Sequence, residues 1–174
     1  RRSLVAKRCI TASPQCVPAR ASWLTGLWPS ELGVTRNEHF SLPASSPSFV
    51  RTLREQGWHT ALIGKTHWHP HAAGIDLRDR LQLLKQLGFD EAVEIAGPRA
   101  LTEVCCALTE AWEAYEPGLQ EKYRNDLTER YQRGDPWRVR PSILPSHLYP
   151  DIWVGEQACS WLQQRGQCEE PWLL

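Results

Sequence analysis

Short apolar runs divided by glycine and proline turns fill the chain, and their spacing switches between helical and strand periods. Pro18 suits the first turn of a short helix running through Ala19–Leu24 and stopping at Gly26, which places Cys16 in the turn just ahead of it. Residues 27–45 read as loop. Ser46-Pro47 then opens a second helix with Phe49, Val50 and Leu53 on one face and Gly57 as its stop. Trp58–Ile63 predicts a strand that runs into the polar stretch Gly64–His71. Leucines at 77, 81, 84 and 87 align on one helical face from Asp76 to Leu87, with Gly88 closing it. Phe89–Ile95 predicts a short strand. Residues 100–132 read as helix broken at Pro117-Gly118, and 133–150 as a proline-rich connection. Asp151 caps a last helix with Ile152, Val154, Ala158, Trp161 and Leu162 as its apolar face, ending near Gly166. Glu170–Leu174 reads as the start of a buried strand, while residues 3–12 are too mixed for either period.

A helix followed by a strand with polar residues at its C-terminal end is the α/β layout, in which sites lie beyond strand ends. At 174 residues the chain fits one domain, 1–174, able to bury a substantial core. Its 20 basic and 20 acidic residues cancel, so no charge excess points to nucleic acid or to a membrane surface. No apolar run approaches the roughly 20 residues of a spanning helix, and no leader pattern is visible. Methionine is absent and the first residue is Arg1, so a segment truncated at both ends is expected. The six cysteines lack any CxxC pair, and two of them, Cys105 and Cys106, are adjacent. At least five are expected to be free structural thiols in a reducing, cytoplasmic setting.

Chemistry concentrates in two places. A cysteine before a helix start has its thiolate favoured by the helix dipole. Around Cys16 stands Cys16-Val17-Pro18-Ala19-Arg20, followed by Thr25-Gly26 and Pro29. After the first strand comes Gly64-Lys65-Thr66-His67. Cys-x-Pro-x-Arg with a following Thr-Gly resembles the signature of the formylglycine-dependent type I sulfatases, within the alkaline-phosphatase-like superfamily. The second stretch resembles that family's Gly-Lys-x-His motif, and the helix and strand between them are similar too.

The resemblance implies a partial alkaline-phosphatase-like sandwich: a mixed central sheet flanked by helices, without its first strand and C-terminal part. It implies that Cys16 is oxidised to formylglycine by a formylglycine-generating enzyme and serves as nucleophile toward a sulfate ester. Arg20 would orient that group and offset its charge. Lys65 would contact sulfate oxygens, and His67 would contact sulfate or protonate the leaving oxygen. His69 is a further substrate contact by this reading, placed with His71 at the mouth of the pocket or in its loop. Three imidazoles in His67-Trp68-His69-Pro70-His71 also offer metal ligands, but the family's cation is a hard one, Ca²⁺ or Mg²⁺, held by carboxylate and amide oxygens. Formylglycine at Cys16 would be one ligand. No acid precedes Cys16, so the remaining ligands are expected to be absent and the segment alone inactive. Asn37 and His39 fall in the other loop near the site, within reach of substrate, with a solvated loop as the expectation. The expected substrate is a sulfated small molecule or glycan. A phosphonate or phosphate monoester hydrolase of the same superfamily, a non-catalytic anion-binding remnant and a Cys16–His67 thiol dyad are the competing readings.

Overall fold

The structure is a computed structural model that describes residues 5–37, 39–132, 139–166 and 168–174. Helix α1 spans Cys16–Thr25 and ends at Gly26, whose left-handed φ of 72° lets its N–H cap back onto Ser22. Cys16 is thus the first helical residue, one step further in than its sequence suggests, and Gln15 is the extended N-cap. Helix α2, Phe49–Glu55, starts two residues later than the Ser46-Pro47 signal. Ser48 takes the cap because its hydroxyl serves twice, accepting from Arg51 N and donating to Leu87 O at 2.5 Å.

Strand β1, His59–Lys65, follows. The expected long leucine helix is divided. The Asp76 carboxylate accepts from Arg78 N and tightens Leu77–Arg80 into a 3-10 turn, and helix α3 occupies Leu81–Leu87. Gly88 then adopts φ 116°, and a β-carbon there would stand 2.3 Å from Arg51 N, so only glycine allows α2 to cross so closely. Strand β2 is Glu91–Ile95. Helices α4 (Ala107–Tyr115) and α5 (Leu119–Gln132) flank the Pro117-Gly118 break. Of the proline-rich connection, residues 133–138 lie outside those described. Helix α6 runs Pro150–Arg165 with Pro150, not a capping Asp151, at its start. Strand β3 is Trp172–Leu173.

The strands lie in the order β2-β1-β3, both pairs parallel, with Lys65 opposite Ile95 and His59 opposite Trp172. The carboxyl ends of β1 and β2 therefore open on the same edge. One core packs α1, α2 and α3 against the sheet through Leu24, Val50, Leu84 and Phe89. The other gathers the later helices around the fully buried Trp112, whose indole N–H donates to Leu148 O at 2.9 Å. The α6 face turned inward carries Trp153 and Trp161, eight residues apart, rather than the exposed Ile152 and Leu162. Trp161 sets that rotation by meeting Trp172 edge-on at 5.6 Å and donating to Glu91. All six cysteines are free, yet Cys106 alone is fully buried and four are exposed, against the expectation of buried thiols. No helix among the described residues is long and apolar enough to cross a membrane.

Candidate active site

Helix α1 and the end of β1 meet over a cleft of about 610 Å³ lined by Cys16, Arg20, Trp23, Lys65, Trp68 and Phe89 among others, with no carboxylate side chain on its wall. Cys16 sits half-buried at the helix start. Pro18 has no N–H and Val17 gives its own to Asn37 Oδ1 at 3.0 Å, so the helix end offers little free donor beyond Cys16 itself. Asn37 Nδ2 donates to Cys16 Sγ at 3.6 Å. Burial works against ionisation of this thiol, but the Lys65 ammonium beside it and the Asn37 amide outweigh that and hold it below its ordinary value.

Arg20 fastens the two elements together. Its guanidinium donates to Lys65 O at 2.6 Å, and its own carbonyl accepts from Trp68 Nε1 at 3.0 Å. Lys65 runs over Gly97, where a β-carbon would lie 3.2 Å from Nζ. The structure therefore brings Cys16, Arg20 and Lys65 to one cleft.

His67 adjoins them without lining the cleft wall. It is the one described non-glycine residue with positive φ, 61°, and its Nδ1 is buried without a hydrogen-bond partner. Burial above all, with Lys65 next, pushes its ring down to about 4, so it is neutral at pH 7.

His69 is 2% exposed and does not line the cleft; of the two places expected for it, the pocket mouth or the loop, it holds the loop. What draws it inward is Glu94, a buried carboxylate near the end of β2. His69 Nε2 lies 2.8 Å from Glu94 Oε2, His71 Nε2 lies 3.0 Å from Oε1, and the Thr66 hydroxyl also donates to Oε1. Burial alone would raise this carboxyl, yet the histidine and threonine hydrogen bonds hold it at about 2.

Asn37 belongs to a loop expected near the site, and the structure brings its amide to Cys16. Glu94 escapes the sequence reading, because Glu91 shares its strand and nothing local separates the two acids. His39 is exposed, as a solvated loop residue would be.

A family model described as Sulfatase matches residues 1–156. The chain belongs to the sulfatase family. It is 39% identical over 70 residues to human steryl-sulfatase, a stretch covering 34% of this chain and 12% of that protein. It is 43% identical over 58 residues to choline-sulfatase of Rhizobium meliloti (strain 1021), covering 33% and 11%. Among solved structures, Ps i-CgsB in complex with k-i-k-neocarrahexaose superposes with a TM-score of 0.51 at 16% identity, covering 93% of this chain and 34% of that one. This likeness is one of fold. The sulfatase chain thus spans roughly a third of such a structure and makes up a partial α/β domain of alkaline-phosphatase-like type.

Proposed function

We propose that the protein bearing this chain hydrolyses sulfate esters at the cleft of Cys16, Arg20 and Lys65. The observation that carries the reading is the convergence of one activated cysteine and two cationic side chains on a cleft wall without an acidic side chain among the described residues. A sulfate monoester is an anion, and such a wall attracts it while offering nothing to repel it.

Position 16 suits formylglycine. The side chain is reachable from the cleft, and Asn37 Nδ2 and Lys65 supply donors where the sulfur now stands. When formed, the hydrated aldehyde supplies a hydroxyl that attacks sulfur and a second that lets the site regenerate. Conversion would need a formylglycine-generating enzyme as partner. Lys65 holds the sulfate as a point charge, and Arg20 keeps α1 and β1 in register while adding positive potential. Neutral His67 hydrogen-bonds the sulfate or the leaving oxygen, and the arriving anion raises its proton affinity.

A hard Ca²⁺ or Mg²⁺ ion requires about six oxygen ligands. No carboxylate side chain among the described residues lines the cleft, and the amide oxygens at hand, Asn37 Oδ1 and Gln15 Oε1, already accept from Val17 and Asn37 backbone N–H groups. Among the described residues this donor set does not fit such an ion, so the chemistry assigned to this chain rests on its nitrogen donors.

The test is to co-express the full protein with a formylglycine-generating enzyme and compare turnover of an aryl sulfate and an aryl phosphonate. Preference for the sulfate, with an aldehyde at position 16 by intact mass, supports the reading. Preference for the phosphonate, or unchanged turnover in Cys16→Ala, overturns it.

A further inference from the structure

Behind the cleft, Glu94, His69 and His71 bring one carboxylate and two imidazoles together, their ligand atoms all within 4.8 Å of one another. The three side chains are each about 1% exposed. Nothing in the proposed hydrolysis uses them.

His69 Nδ1 lies 3.2 Å from Pro70 O, a contact that makes sense only as N–H donating to a carbonyl. A neutral imidazole has then spent its single proton. Its Nε2 lone pair would face the Glu94 Oε2 lone pairs at 2.8 Å, which is repulsive in a dry interior. A second proton on His69 or a shared metal ion removes the conflict, and the third ligand atom, from His71, favours the ion. We propose that His69, His71 and Glu94 form a site for a borderline divalent metal ion such as Zn²⁺, separate from the sulfate cleft.

The donor set of two imidazole nitrogens and one carboxylate is a usual one for Zn²⁺ and a poor one for Ca²⁺. The surroundings are those of ligands already oriented. A backbone carbonyl fixes the His69 tautomer, and the Thr66 hydroxyl holds Glu94 Oε1. Tetrahedral zinc with bonds of about 2.0–2.1 Å spaces its ligands about 3.3 Å apart. On loading, the present 2.8 and 3.0 Å separations would open by a few tenths of an ångström, and the wider ones, up to 4.8 Å, would close toward that spacing. A second cavity of about 610 Å³, walled by His71, Arg99, Arg124 and Tyr131, lies alongside and gives an ion a route in. Once bound, the metal would pin the loop carrying Thr66 to His71 onto β2, and so fix the backbone that presents Lys65 and His67.

The measurement is metal binding by the full protein stripped with a chelator and then titrated with Co²⁺ and with Zn²⁺. One equivalent of Co²⁺ with visible ligand-field bands, displaced by Zn²⁺, is expected. His71→Ala and Glu94→Gln should weaken binding at least about a hundredfold, whereas Cys16→Ala should leave it unchanged. Glu94→Gln retains shape and hydrogen-bonding atoms, so it reads out the site if the alanine variant unfolds. Absence of the bands at equimolar Co²⁺, or binding unchanged in both variants, overturns the proposal. So does a nitrogen-15 NMR signature of doubly protonated His69 that persists with zinc present, since the positive centre would then be a proton. Loss of sulfate-ester turnover with zinc binding intact would bear on the cleft alone.

Discussion

The eight residues from Gly64 to His71 serve two polar regions of opposite character. On one side, Lys65 joins Cys16 and Arg20 on an open cleft wall that has positive charge and, among the described residues, no acidic side chain. On the other, Thr66, His69 and His71 close around Glu94 in a pocket almost sealed from water. On the open side Arg20 gives one donor to Lys65 O, and neither cation is matched by an acid on the cleft wall among the described residues. The closed side has its carboxylate oxygens fully engaged. The difference teaches that motif residues adjacent in sequence need not share a task. A charge that must meet substrate is left underpaired, and one that must hold a loop is paired as completely as geometry allows.

The sharpest break in this comparison comes from deleting one residue on each side. Cys16→Ala is expected to lower sulfate-ester turnover by about 10³-fold or more, the scale for loss of a nucleophile. Its thermal midpoint should stay close to that of the wild type, because the side chain is only half-buried. Glu94→Ala should do the reverse in kind. Removing one partner of a buried ionic cluster costs about 3–5 kcal/mol, here by leaving Thr66 and two imidazoles without the carboxylate they surround. Urea unfolding of the two variants measures it. Equal destabilisation by both would erase the distinction between an open functional side and a closed structural one.

That distinction was only half legible in the sequence. The open side follows local rules: Pro18 sits in the first turn of α1, Gly26 ends it, and Lys65 terminates a strand whose apolar run is unmistakable. The closed side depends on partners far away in the chain. Glu94 looks like any solvent-facing strand acid until Thr66, His69 and His71, 23 to 28 residues earlier, fold over it. Asn37 reaches Cys16 across 21 residues, and no local signal marks that contact. Helix rotation is non-local for the same reason. The periodicity of α6 admits both Ile152 and Trp153 as inward positions, and Trp172 together with Glu91 decides for the tryptophan face.

A gentler probe asks whether the cleft is electrostatically open before any conversion of Cys16. Its thiol is held below its ordinary value through Lys65 and Asn37 once burial is overcome, so it should alkylate at neutral pH faster than the exposed Cys105. The sign follows from the cause. Lys65→Ala removes the neighbouring charge, raises the thiol, and should move the alkylation profile of Cys16 to higher pH without moving that of Cys105. A Cys16 profile unchanged in Lys65→Ala would mean that the ammonium does not face the thiol in solution.

The smallest expected effect tests how tightly the two sides are joined. Lys65 Nζ passes over Gly97, and a methyl group there would come within 3.2 Å of the amine and 3.6 Å of its ε-carbon. Both contacts are to the flexible end of a side chain, so Gly97→Ala should fold and bind zinc like the wild type. The amine would shift by a fraction of an ångström, and misplacement of about 1 Å costs about a hundredfold in rate. A fall in kcat of about three- to tenfold is therefore expected, with the zinc titration unmoved. If zinc binding weakened in step with kcat, the loop would transmit the displacement of Lys65 into the Glu94 pocket, and the two regions would act as one.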